Sequence, residues 1–187
     1  MHASFIIELG NKAHVPILSF SATSPFLTSI RSPYFFRIAQ NDSSLVKAIS
    51  ALVQAFGWRE VVPIYVDNDY GQGLIPYLTD ALTDVDARVP YRSVISPSAT
   101  DEQIEIELLR LMTKRTRVFI VHMTYSLGSR VFTKAKEIEM MEEGYVWIIT
   151  HGLTDLIGSL NSSAIDSMQG VWGSGPTYQK LYRVDKF

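Results

Sequence analysis

Apolar residues alternate along this chain between two patterns. Short runs rich in β-branched and aromatic side chains lead into longer stretches where apolar residues recur at helical spacing. Val15-Pro16-Ile17-Leu18-Ser19-Phe20 and Tyr34-Phe35-Phe36-Arg37-Ile38-Ala39 predict strands. Leu45, Ile49, Leu52, Val53 and Phe56 then fall at i, i+4, i+7, i+8 and i+11, one face of a helix. Asp42-Ser43-Ser44 offers that helix an N-cap, and Gly57 a C-cap.

The same unit repeats. A strand over 61–66 leads to a helix near 71–83, with Leu74, Leu78, Ala81 and Leu82 on one side. A strand over 89–95 leads to a helix near 101–113 (Ile104, Leu108, Leu111), and one over 117–122 to a helix near 126–141 (Leu127, Val131, Ala135, Ile138). A strand over 145–150 precedes a short helix near 153–160, and a last strand covers 169–174. Strand–helix alternation with almost wholly apolar strands implies right-handed crossovers and an α/β fold, a parallel sheet with helices on both faces.

In such sheets ligands bind beyond the carboxyl ends of the strands. That rule selects Ser19 to Pro25, Asp67 to Gly73, His122 to Tyr125 and Thr150 to Asp155.

Composition narrows the chemistry. The chain has 187 residues, 47% of them hydrophobic, and a net charge of −2, enough for a sizeable core and no electrostatic reason to expect nucleic acid as a partner. The one basic cluster, Lys114-Arg115-Thr116-Arg117, reads as the C-terminus of a helix, where cations meet the negative end of the dipole. With no cysteine, disulfides, thiol catalysis and zinc–thiolate sites are excluded. Asn41-Asp42-Ser43 and Asn161-Ser162-Ser163 are candidate N-glycosylation sequons, at Asn41 and Asn161. No apolar run approaches the roughly 20 residues of a membrane helix. Met1 to Glu8 lacks the basic n-region and apolar length of a signal peptide. An extracellular chain without a signal is expected to be part of a longer one.

The turn Asp67-Asn68-Asp69-Tyr70-Gly71-Gln72-Gly73 invites a nucleotide or a metal ion. The dinucleotide fingerprint needs a third glycine where Pro76 stands, and no acidic residue closes the 89–95 strand. An EF-hand loop begun at Asp67 would put Gly71 at position 5, Gln72 at 6 and Leu78 at 12, so its ligands are missing. Gly71 and Gly73 are therefore expected to permit a sharp turn, and Asp69 to cap the next helix with Asp67 favoured by its dipole.

No cofactor, metal site or catalytic residue is singled out. Gly173-Ser174-Gly175 lacks the spacing of a nucleophile elbow, and His2, His14, His122 and His151 show no metal-ligand spacing and read as structural or solvated. Ser19-Phe20-Ser21-Ala22-Thr23-Ser24-Pro25 ends an apolar strand with small hydroxyls and free N–H groups. It suits a ligand carboxylate, and equally a helix N-cap.

Phe20-Ser21-Ala22-Thr23-Ser24-Pro25, Tyr34-Phe35-Phe36-Arg37, Gly57-Trp58 and Asp69-Tyr70-Gly71-Gln72-Gly73, in that order, resemble receptor family ligand-binding regions. Glu8-Leu9-Gly10-Asn11-Lys12-Ala13-His14-Val15-Pro16 and Gly144-Tyr145-Val146-Trp147-Ile148-Ile149-Thr150 are most similar to the amino-terminal domain of plant glutamate-receptor-like channels. The resemblance covers nearly all of residues 3–176. It implies a type I periplasmic-binding-protein fold, here an incomplete two-lobed clamshell. Residues 1–40 would be the C-terminal part of lobe 1, 41–175 most of lobe 2, and 176–187 a tail or truncated return segment.

It further implies a non-enzymatic domain that senses an amino-acid-type ligand on the extracellular side of the plasma membrane. Such a domain acts by clamshell closure, by subunit assembly with other receptor subunits, or by both. Ser21, Ala22 (through its backbone) and Thr23 would hold the ligand from lobe 1, and Tyr70 would close from lobe 2. The family's ammonium-binding carboxylate position falls at His151, with Asp155 one turn on; an imidazole does not compensate a cation as a carboxylate does. A soluble amino-acid-binding protein of the same fold is the alternative, and an α/β enzyme acting on a phosphorylated substrate a third reading.

Overall fold

The structure, a computed structural model, describes residues 3–20, 22–23, 27, 30, 32–38, 42–154, 166–174 and 181–183. Among these, strands β1 (Ile17–Ser19) and β2 (Phe35–Arg37) form a parallel pair, with Ile17 opposite Phe35 and Ser19 opposite Arg37. The remaining strands form a six-stranded sheet: β3 (Val62–Val66), β4 (Ser93–Ile95), β5 (Val118–His122), β6 (Val146–Ile149), β7 (Trp172–Ser174) and β8 (Leu181–Arg183). Their order is β4-β3-β5-β6-β7-β8, parallel throughout except for the antiparallel β8.

The apolar strand runs are explained by burial on both faces. Phe119 and Val121 of β5, and Trp147 and Ile149 of β6, pack into one core; their neighbours Val118, Ile120 and Ile148 pack into the other. Helices α4 (Asp101–Met112) and α5 (Tyr125–Glu137) cover the first core through Ile104, Leu108, Leu111, Leu127, Val131 and Phe132. Helices α2 (Ser43–Ala55) and α3 (Asp69–Thr83) cover the second through Leu45, Ile49, Val53, Leu74, Leu78 and Leu82. The expected α/β architecture is the one observed.

Local signals set the helix ends. Thr100 and Gln103 form a capping box at α4. Gly57, at φ +68°, follows α2, and the N–H groups of Gly57 and Trp58 donate to Gln54 and Val53 as in a Schellman motif. Arg117 donates to the Met112 carbonyl at 2.9 Å, closing the end of α4 as the basic cluster suggested.

Several boundaries differ from expectation. Helix α1 (Ala3–Ala13) occupies a stretch for which the apolar spacing predicts no element. The strand expected over 89–95 shortens to Ser93–Ile95, after Pro90, which has no N–H to give a ladder. Helix α5 stops at Glu137 rather than 141 because Glu139 takes φ +64° and Met140 donates back to Ala135. The indole of Trp147 then fixes that end by donating to the Met140 carbonyl at 2.9 Å. Helix α6 is His151–Thr154, and the rest of the helix expected near 153–160 lies outside the described residues. No described helix is long and apolar enough to cross a membrane.

Candidate functional site

The sheet reverses its order at β3. From β3 the chain leaves through α3 to β4 on one side, and from β5 through α5 to β6 on the other. Helices α3 and α5 lie on opposite faces, so a crevice opens beyond the carboxyl ends of β3 and β5. The Asp67–Gly73 segment and His122 stand at that edge.

The geometry corrects how the segment is built. Asn68, not Asp69, is the N-cap of α3: its extended backbone (φ −161°) points Oδ1 at the Gly71 N–H, 3.0 Å away. Asp69 is the first helical residue, and Asp67 accepts from the Gln72 amide at 3.0 Å. Gly71 and Gly73 lie inside α3, and neither takes a positive φ. Gly71 is needed for another reason. A Cβ there would sit 1.9 Å from the Val66 carbonyl oxygen, so only glycine lets the helix start this close to the end of β3.

Tyr70 is the second residue of α3 and half-buried. Its ring lies 4.3 Å from that of His122, tilted by 38°. Its hydroxyl reaches the start of α6, where a Cβ on Gly152 would come within 2.4 Å of it. The side chain thus spans from the end of β3 across β5 to the residue after His151. His122 is 1% exposed and Thr150 fully buried. His122 Nδ1 is 2.8 Å from Thr150 Oγ1, and Nε2 is 3.1 Å from the Tyr70 carbonyl. A carbonyl only accepts, so the network assigns the hydrogen to Nε2, and Thr150 donates to Nδ1. The Thr150 hydroxyl is farther from the Val121 carbonyl, 3.4 Å, and that carbonyl already takes the Thr150 N–H at 3.2 Å. His122 was read from sequence as structural or solvated. Its place at a strand end was visible there, but its bond to Tyr70, 52 residues away, was not.

The other sequence-derived positions are less fully placed. The Ala22 N–H donates to Ser19 Oγ at 3.1 Å, and the half-buried Thr23 accepts the Asp42 N–H on its carbonyl at 3.0 Å. His151 opens α6, but its side chain lies outside what the structure describes. Ser21, Asp155, Asn41 and Asn161 lie outside the described residues. Among the described residues, no group of three or more His, Asp or Glu side chains is placed to hold a metal ion.

A family model described as receptor family ligand binding region matches residues 1–180. The chain is 54% identical over 187 residues to glutamate receptor 2.3 of Arabidopsis thaliana, covering all of this chain and 21% of that protein. It is 58% identical over 173 residues to glutamate receptor 2.4 of the same plant, covering 92% of this chain and 19% of the relative. Glutamate receptor 2.7 is 56% identical over 188 residues, with 20% of its length covered. The chain spans about a fifth of the length of the curated relatives it matches.

Proposed function

The chain belongs to the receptor family ligand binding region, and from that premise we propose that it forms the extracellular ligand-sensing part of a plant glutamate-receptor-like, ligand-gated cation channel. The ligand is an amino acid or a close relative, bound without any bond being made or broken. The relatives are named glutamate receptors, which favours a receptor over a soluble binding protein of the same fold.

Residues 1–40 belong to one lobe of a clamshell and 41–175 to the other. Ser21, the Ala22 backbone and Thr23 grip the ligand from the first lobe, and Tyr70 closes from the second, with His151 beside it. Closure favours the state that binds the ligand more tightly, and that difference in affinity biases channel opening or the pairing of subunits. The observation that carries this reading is Tyr70 at the reversal point of the sheet, where a ligand of an α/β fold is expected, with its hydroxyl at Gly152 beside His151.

The test is calorimetry with L-glutamate and the other common amino acids on a longer chain that holds both lobes. Thr23→Ala and Tyr70→Ala each weaken binding by roughly tenfold, the effect of one lost hydrogen bond or ring contact in a closed site. Unchanged affinity in both variants would sink the site assignment.

A further inference from the structure

Tyr70 is the second residue of α3 and only half-buried, yet three separate features restrain it. Its carbonyl has two lone pairs, and one of them takes the Nε2–H of His122 at 3.1 Å. Its ring rests against the imidazole at 4.3 Å between centroids. Its hydroxyl occupies space that exists only because residue 152 has no side chain, since a Cβ there would lie 2.4 Å from the hydroxyl and 3.0 Å from the Met123 carbonyl.

The imidazole is itself fixed. Thr150, just past β6, holds Nδ1 at 2.8 Å through its hydroxyl oxygen, and because the Tyr70 carbonyl can only accept, Nε2 carries the hydrogen and faces Tyr70. A phenylalanine at 122 would keep a ring and lose the donor. A glutamine would place an amide N–H near where Nε2 stands.

We propose that His122 and Gly152 are the positioning residues of this site: His122 orients Tyr70 by donating to its carbonyl and lying against its ring, and Gly152 leaves the opening that its hydroxyl fills. The proposal rests on the reading above in one respect only, that Tyr70 faces the ligand. Neither residue touches the ligand. Each acts on it by setting where the phenol ends up, and strands β3, β5 and β6 thereby fix a single rotamer of a helix-borne side chain. A phenol free to swing would have to be ordered when the ligand arrives, and that ordering would weaken binding.

The first measurement needs no substitution. Nitrogen-15 NMR of the 187-residue chain should show His122 with a protonated Nε2 and an unprotonated Nδ1. The opposite tautomer overturns the proposal. In His122→Phe and Gly152→Ala, the Tyr70 ring resonances should shift, whereas folded variants with unchanged Tyr70 signals also overturn it. Gly152→Ala guards against loss of fold in His122→Phe, because the nearest obstacle to its Cβ is the far end of a side chain that can move aside. In the longer chain, L-glutamate should bind about tenfold more weakly to either variant, with His122→Gln recovering part of the loss. If L-glutamate fails to bind the unsubstituted chain while the tautomer and ring shifts are as stated, the positioning role stands and the ligand reading falls.

Discussion

The Val66 carbonyl oxygen and the α-carbon of Gly71 approach so closely that a single added methyl group would lie 1.9 Å from the oxygen. The strand β3 ends and the helix α3 begins within that gap. A glycine pair expected from sequence to permit a sharp turn is thus a packing device at one of its two positions, and the backbone there is ordinary helix.

Gly71→Ala should therefore destabilise the chain by about 3 kcal/mol, the cost of overpacking against backbone that cannot retreat. Gly57→Ala, where φ is +68° and nothing lies within 4 Å, should cost only about 1 kcal/mol of backbone strain. Urea unfolding of the two variants separates the causes. Equal losses would contradict the close approach.

Asn68→Ala should cost about 1 kcal/mol, because the Gly71 N–H loses its acceptor. Asp69→Ala should cost less, because it leaves the Gly71 N–H its acceptor on Asn68. Denaturation midpoints in the reverse order would return the N-cap to Asp69.

Tyr91 carries the clearest pH signature. Burial pushes its phenol above the usual value, and Thr116 and Arg117 draw it back only in part. No hydrogen bond of normal geometry reaches the hydroxyl among the described residues. Because the folded pKa is raised, the folded state holds this proton more tightly. Its stabilising effect is complete below the unfolded value of about 10 and is lost as pH rises through the folded value. Tyr91→Phe should leave stability at pH 7 within about 1 kcal/mol and flatten its decline above about pH 10. An unaltered alkaline slope in thermal melts would refute this.

Arg117 closes α4 through the Met112 carbonyl and lies 4.9 Å from the centre of the Tyr145 ring. Arg117→Ala should cost about 1–2 kcal/mol, and Arg117→Lys should recover only part, because an ammonium lacks the planar fork that serves both contacts. Full recovery by lysine, measured by urea unfolding, would show that charge alone suffices.

The order of strands and helices was legible in the sequence because the signals are local and repeated. Runs such as Val118-Phe119-Ile120-Val121 are apolar at every position, which only a strand covered on both sides requires. Element ends were less legible. Glu139 takes a left-handed backbone without being glycine, and Asn68 rather than either neighbouring aspartate caps α3. Both outcomes depend on where the chain must go next. The candidate site was half visible. Tyr70 and His151 came from the resemblance, whereas the link from His122 to Tyr70 joins residues far apart in sequence and leaves no periodic trace.

By itself the sequence determined the class of fold and the exclusions: apolar strands alternating with amphipathic helices, no cysteine chemistry, and no complete nucleotide or EF-hand motif. These follow from spacing and residue type, which are properties of the chain alone. Only the tertiary structure decided why Gly71 must be glycine, which nitrogen of His122 carries its hydrogen, and where the Tyr70 hydroxyl ends. Each of those depends on distances between strands that meet only when the sheet is assembled.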